Sequence, residues 1–165
     1  MKHILPALLL VLVSLHAHAQ SGPKVDPTLE AVGALSASQI YSQYVFIGVL
    51  ADAYANKVYS PAQVQQMMAE TIDLMGGVSD KLGVLAKDTS ITQDDRVFIT
   101  RVRSVIGLLQ TQAKALITFS RDSRQDNGIA FEAARKSSWA AIADILGIGS
   151  KEKSPQKGTT NPRKN

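Results

Sequence analysis

The chain contains no cysteine, and its three histidines are His3, His16 and His18. All three fall in an N-terminal segment that reads as an export leader, so the mature chain is expected to lack imidazole as well as thiol. Without cysteine there are no disulfide staples and no thiol redox chemistry. Without histidine, Ser-His-Asp and Cys-His nucleophile arrangements are excluded. The same absences exclude Glu-x-x-His di-iron sites, c-type haem attachment and Cys/His zinc sites. No Walker loop and no Gly-x-Gly-x-x-Gly loop occurs. Aromatic residues make up only 5% of the chain, and no segment shows the period-2 alternation of a strand. The expected result is a non-enzymatic chain with no cofactor and no metal. A carboxylate- or lysine-based enzyme is the one catalytic reading left.

The leader is residues 1–19. Lys2 and His3 make a short basic start, and Ile4 to Leu15 is apolar except for Ser14, with Pro6 inside it. Ala17 and Ala19 place small residues at the −3 and −1 positions, so cleavage is expected between Ala19 and Gln20. An apolar run of about 12 residues falls short of the ~20 that a spanning helix needs. Export to the periplasm or the medium follows, with no transmembrane segment left after cleavage. The formal net charge of +4 is concentrated outside the body. Lys151, Lys153, Lys157, Arg163 and Lys164 oppose only Glu152. Residues 149–165 hold no large apolar side chain and are expected to be a disordered basic tail. The body is close to neutral, which argues against a nucleic-acid partner, because that function needs a clustered basic face.

Between residues 20 and 148 the pattern predicts an all-α, antiparallel up-down four-helix bundle with a short extra N-terminal helix. Asp26-Pro27 starts the short helix, expected over 27–35. The first long helix is expected over 36–58, with Ile40, Tyr44, Ile47, Ala51, Tyr54 and Val58 at 4-3-4-3-4 spacing. Ser60-Pro61-Ala62-Gln63 has the capping-box form and opens a second helix running to about Lys87. Its seam is Val64, Met68, Thr71, Met75, Val78, Leu82 and Leu85, and Gly76-Gly77 is expected to loosen it. Thr92-Gln93-Asp94-Asp95 opens a third helix with Ile99, Val102, Ile106, Leu109, Ala113 and Leu116 inward. Asp126-Asn127-Gly128 reads as a turn before a fourth helix over 129–146. An alanine-rich inner face (Ala130, Ala133, Ala134, Ala141, with Ile142 and Ile145) is expected there, with Gly147 as the stop.

Four features bear on function. Val45, Phe46, Val49 and Ala53 lie opposite the seam of the first long helix. They are either covered by the short helix through Leu29, Val32 and Leu35, or they dock a partner or a second copy. Tyr44 and Tyr54 fall on the seam, where their hydroxyls need partners, Asp52 or an arginine of the third helix. With Arg103 they would line a small-molecule pocket. Arg96, Arg103, Lys114 and Arg121 form a row on one side of the third helix. They either pair with Asp52, Glu70 or Asp73 or hold an anionic ligand. Met67, Met68 and Met75 are the residue type of a Cu(I) thioether site, but they fit the core as gap-fillers.

The leading expectation is an exported bundle that acts by contact in the cell envelope, with an envelope or secreted protein partner or as a homo-oligomer. The alternative is a small-molecule-binding bundle with a tyrosine-lined pocket between helices.

Overall fold

The structure is a computed structural model that describes residues 27–148. The leader residues Ala17, Ala19 and Gln20 and the tail 149–165 lie outside the described residues. The described chain is an all-α helical bundle of four helices, with no strand among the described residues: α1 Pro27–Ala55, α2 Pro61–Leu85, α3 Gln93–Arg121 and α4 Gln125–Leu146. The chain divides after Val32 into two units, and of the first the structure describes only residues 27–32, the opening turns of α1.

The short helix expected over 27–35 is not a separate element, because α1 runs through Leu35 and Ser36 without interruption. Nothing there can stop it. Serine is a weak breaker, and Gly33 sits against Phe98, where an added Cβ would make ordinary contact at 3.7 Å. The helix ends three residues earlier than its apolar spacing predicts, and Val58 is exposed in the loop. Its end is a Schellman turn. Lys57 takes a left-handed φ of 60°, the Val58 N–H donates to Ala53 O at 2.9 Å, and the Lys57 N–H donates to Tyr54 O at 2.9 Å.

Start signals elsewhere act as their chemistry requires. The Ser60 N–H donates to Gln63 Oε1 at 2.9 Å and the Gln63 N–H donates to Ser60 Oγ at 3.3 Å, closing the capping box with Pro61 at the first turn. Thr92 Oγ1 accepts from the Asp95 N–H at 3.1 Å. The helix α2 continues through Gly76-Gly77 to Leu85. The expected turn at 126–128 is instead the first turn of α4, which begins at Gln125. Asn127 Nδ2 donates back to Asp122 O at 2.7 Å. Gly128 lets α4 approach the Phe119 ring, which an added Cβ would meet at 3.4 Å. The glycine therefore serves a close approach between helices. Gly147 ends α4 at φ 66°, with the Ile148 N–H on Ala143 O at 2.8 Å.

The core follows the predicted seams of α2 and α3 closely. Val64, Met68, Thr71, Met75 and Leu82 are buried from α2, and all six predicted seam residues of α3 are buried, with Val105, Gln112 and Ser120 added. From α1, Ile40, Ile47 and Leu50 are buried, while Tyr44, Ala51 and Tyr54 are partly buried. Ile40, Met75, Ile106 and Leu109 converge around a cavity of about 10 Å³. The alanine reading of α4 is corrected. Ala130 and Ala133 are exposed, Ala134, Ala141 and Ile145 are partly buried, and the buried residues are Phe131, Ser138 and the expected Ile142. One large ring outweighs several methyl groups in deciding which face turns inward, since burial scales with apolar area. Along α3 and α4, Arg101 pairs with Asp144, and Phe119 meets Gly128.

Candidate functional site

On the side of α1 away from Ile40 and Ile47, the apolar residues stay open to solvent. Val45 is 40% exposed, Phe46 37% and Val49 59%, while Ala53 is half-buried. The short helix expected to lie over them does not exist as an element. The face also extends further than the four residues picked out by the spacing. Leu35, Ser38, Ser42, Val45 and Val49 follow a 3-4-3-4 spacing, and every one is exposed. Leu35 reaches 71%. This second seam covers about 21 Å at 1.5 Å per residue. No charged residue occurs between Glu30 and Asp52. A solvated helix face ordinarily carries charges, so an uncharged, partly aliphatic seam is an unusual surface. Leu35, expected on the covering helix, instead belongs to this face, and Ser38 and Ser42 escape an apolar pattern because both are polar. The offset heptad was the signal that would have found them.

The tyrosines and the basic row do not form one pocket. The Tyr54 hydroxyl donates to Ser120 O at 3.2 Å and lies 2.7 Å from Ser123 Oγ. Its ring meets Phe119 edge-on with centroids 5.8 Å apart. Backbone and serine therefore satisfy it, in place of the expected Asp52 or arginine. Tyr44 instead meets Trp139, with centroids 5.4 Å apart and rings tilted by 35°. Arg103 stands elsewhere, with Nε 3.4 Å from Ser79 Oγ and its guanidinium over Gly83.

The row on α3 mostly serves the junction with α2. The Arg96 Nη2 donates to Asp88 O at 3.0 Å, tying down the loop before α3. Arg121 Nε donates to Gln65 Oε1 at 3.0 Å. Lys114 is exposed. None of the four is in an ion pair among the described residues, so the expected pairing with Asp52, Glu70 or Asp73 is corrected. The ion pairs present are Arg101–Asp144, Arg124–Asp122 and Arg135–Glu132. Side chains at these flanks reach neutral amides and carbonyls first, since those lie directly across the seam. Met68 and Met75 are buried in the core and Met67 is partly buried. No cluster of three or more carboxylates among the described residues could hold a metal ion.

The structure brings together a group that the sequence did not suggest. Tyr41 and Tyr44 of α1 meet Arg135, Lys136 and Trp139 of α4 around an open cleft of about 440 Å³. Trp139 is the chain's single tryptophan and is 38% exposed. Glu132 holds Arg135 through Nε, at 3.1 and 3.0 Å from its two carboxylate oxygens, and through Nη2 at 2.6 Å. This hydrogen bonding raises the guanidinium pKa above its ordinary value, against a smaller opposing effect of burial. The Glu132 charge and Tyr44 add to the rise. A second open cleft, of about 680 Å³, lies beside it and is lined by Ala51, Asp52 and Ala55 of α1, by Ile129, Glu132 and Lys136 of α4, and by Phe119. Nothing in the spacing of α4 marked Trp139, because its alignment with Tyr44 depends on how two helices meet.

Among the described residues, no helix is long and apolar enough to cross a membrane. The molecule belongs to the broad class of all-α helical bundles. No protein-family model matches the chain, and no curated protein matches it.

Proposed function

We propose that this chain is an exported, non-enzymatic bundle, cut between Ala19 and Gln20 and working in the periplasm or outside the cell, that acts by docking a protein partner on the outer face of α1. The partner is another envelope or secreted protein, or a second copy of the chain. The observation that supports this most is the exposed seam of Leu35, Val45 and Val49 on a stretch without charge. Solvent-exposed helix faces that are apolar and uncharged lose free energy by being covered, at about 25 cal/mol per Å² of apolar area. The finer architecture belongs to the same proposal: an antiparallel up-down bundle in which α1 is the outermost docking helix. Support comes from the pairs Arg101–Asp144 and Phe119–Gly128 along α3 and α4, and from Tyr54–Ser120 and Tyr44–Trp139 for α1.

The test compares the mature chain with a Val45→Glu/Val49→Glu variant. Light scattering reads self-association, and capture from the native envelope fraction reads a partner. The expected outcome is a dimer or a captured protein for the wild type, lost in the variant at unchanged helicity. Identical behaviour of the two proteins would sink the reading.

A further inference from the structure

Independently of the α1 docking face, we propose that the cleft between Tyr41 and Trp139 binds a small anion that carries a ring with a flat, stackable face, such as a sugar acid or an aromatic carboxylate. Three observations on the cleft support it. First, aromatic surface is concentrated there. The chain has only nine aromatic residues if its one tryptophan, four tyrosines and four phenylalanines are counted, and three of them line this opening. Trp139 leans on Tyr44 at 5.4 Å and keeps part of its surface in solvent. A packed, partly open indole offers a rigid platform that loses little conformational entropy on binding.

Second, two cations share the same opening. Lys136 makes no hydrogen bond or ion pair among the described residues. Arg135 is held by Glu132 through Nε and Nη2, with Tyr44 interacting as well. Glu132 therefore fixes the guanidinium plane and offsets one of the two charges. The lining keeps one net positive charge, which suits a single carboxylate or phosphate. Third, the size is right. A cleft of about 440 Å³ falls within the roughly 300–1,000 Å³ typical of small-ligand sites. The ring would lie on Trp139 and Tyr41, and its anionic group would meet Lys136 Nζ beside the Arg135 guanidinium. Stacking alone would admit neutral rings and charge alone would admit bare anions, so the combination defines the ligand class.

Because Trp139 is the only indole, its fluorescence reports on this cleft and nowhere else. The mature chain is titrated with glucuronate, benzoate, glucose and acetate, with isothermal calorimetry on the same samples. Saturable binding of glucuronate, benzoate or both, at least tenfold tighter than glucose and acetate, supports the proposal. Which of the two acids binds identifies the source of the ring. The Lys136→Ala variant is expected to weaken that binding roughly tenfold, the value of one charge-assisted hydrogen bond. Tyr41→Ala is expected to do the same, at an unchanged melting temperature. Both positions lie outside the buried core, so folding is preserved, and far-ultraviolet circular dichroism checks it. No saturable response to either acid, equal responses to glucose or acetate, or binding that survives both substitutions would overturn it. Failure here leaves the α1 reading standing, since Val45 and Val49 take no part.

Discussion

Gln112 is wholly buried in the middle of α3, and neither its Oε1 nor its Nε2 has a hydrogen-bond partner. Leu109 and Leu116, one turn to either side on the same helix, are buried completely. A buried polar group left unpaired costs about 1–3 kcal/mol, and Gln112 carries two such atoms. Methionine has the same unbranched length and a nearly equal helix propensity, so Gln112→Met opens no cavity and bends no helix. The lower bound for both groups is about 2 kcal/mol of added stability. At roughly 4 °C per kcal/mol for a domain of this size, the midpoint should rise by about 8 °C. The assay is a calorimetric melt with a parallel urea titration, where the slope should stay constant while the midpoint moves. Gln110→Met is the matched control two residues away. The Gln110 Nε2 donates to Ile72 O at 3.1 Å, so that substitution should lose about 0.5–1.5 kcal/mol. Opposite signs for the two variants are expected. A Gln112→Met protein no more stable than the wild type would refute the reasoning.

Other outcomes follow from single contacts. Lys57 holds a left-handed φ of 60°, which costs a non-glycine residue about 1 kcal/mol, so Lys57→Gly should raise the midpoint in a thermal melt, and a fall would contradict the assignment. Tyr54→Phe removes the hydroxyl shared by Ser120 O and Ser123 Oγ and should destabilise by about 1 kcal/mol, read by urea unfolding. Asp88 accepts from the Ser90 N–H and from Ser90 Oγ, each at 2.8 Å. The backbone bond chiefly lowers its pKa below the ordinary aspartate value, with the Ser90 hydroxyl and the Arg96 charge helping and burial opposing. A lowered folded pKa means that the carboxylate's contribution is present above the unfolded value and is lost as pH falls through the folded one. A carboxyl-detected NMR titration should therefore place its midpoint below that of an ordinary aspartate, and Ser90→Ala should move that midpoint upward.

The helices themselves were legible because their signals are local. The capping box at Ser60, the Thr92 cap and the Gly147 stop each depend on a few adjacent residues, and the seams of α2 and α3 repeat over about five to six turns. Errors arose where a distant contact decided the outcome. Gly128 reads as a turn until the Phe119 ring is seen against it. The alanines of α4 look like an inner face until Phe131 claims the inside. At residues 27–35 a start signal without a matching stop was read as a separate helix. The candidate surfaces divide the same way. Val45, Phe46 and Val49 could be picked out by helical spacing along one element. The Tyr41–Trp139 cleft joins two elements that are almost a hundred residues apart, and no spacing rule connects them. Which neighbours Arg96, Arg103 and Arg121 reach depends on packing that a helical wheel does not contain.

The most direct measurement is site-specific photo-crosslinking of the full chain in its native envelope. A photoreactive side chain is placed at Val49 on the outer face of α1, and in a second sample at Lys114 on α3, exposed as well. The account expects a discrete crosslinked product from position 49, either a second copy or one envelope protein, and none of that size from position 114. Uncrosslinked chain at both positions, or the same diffuse products from both, would contradict it.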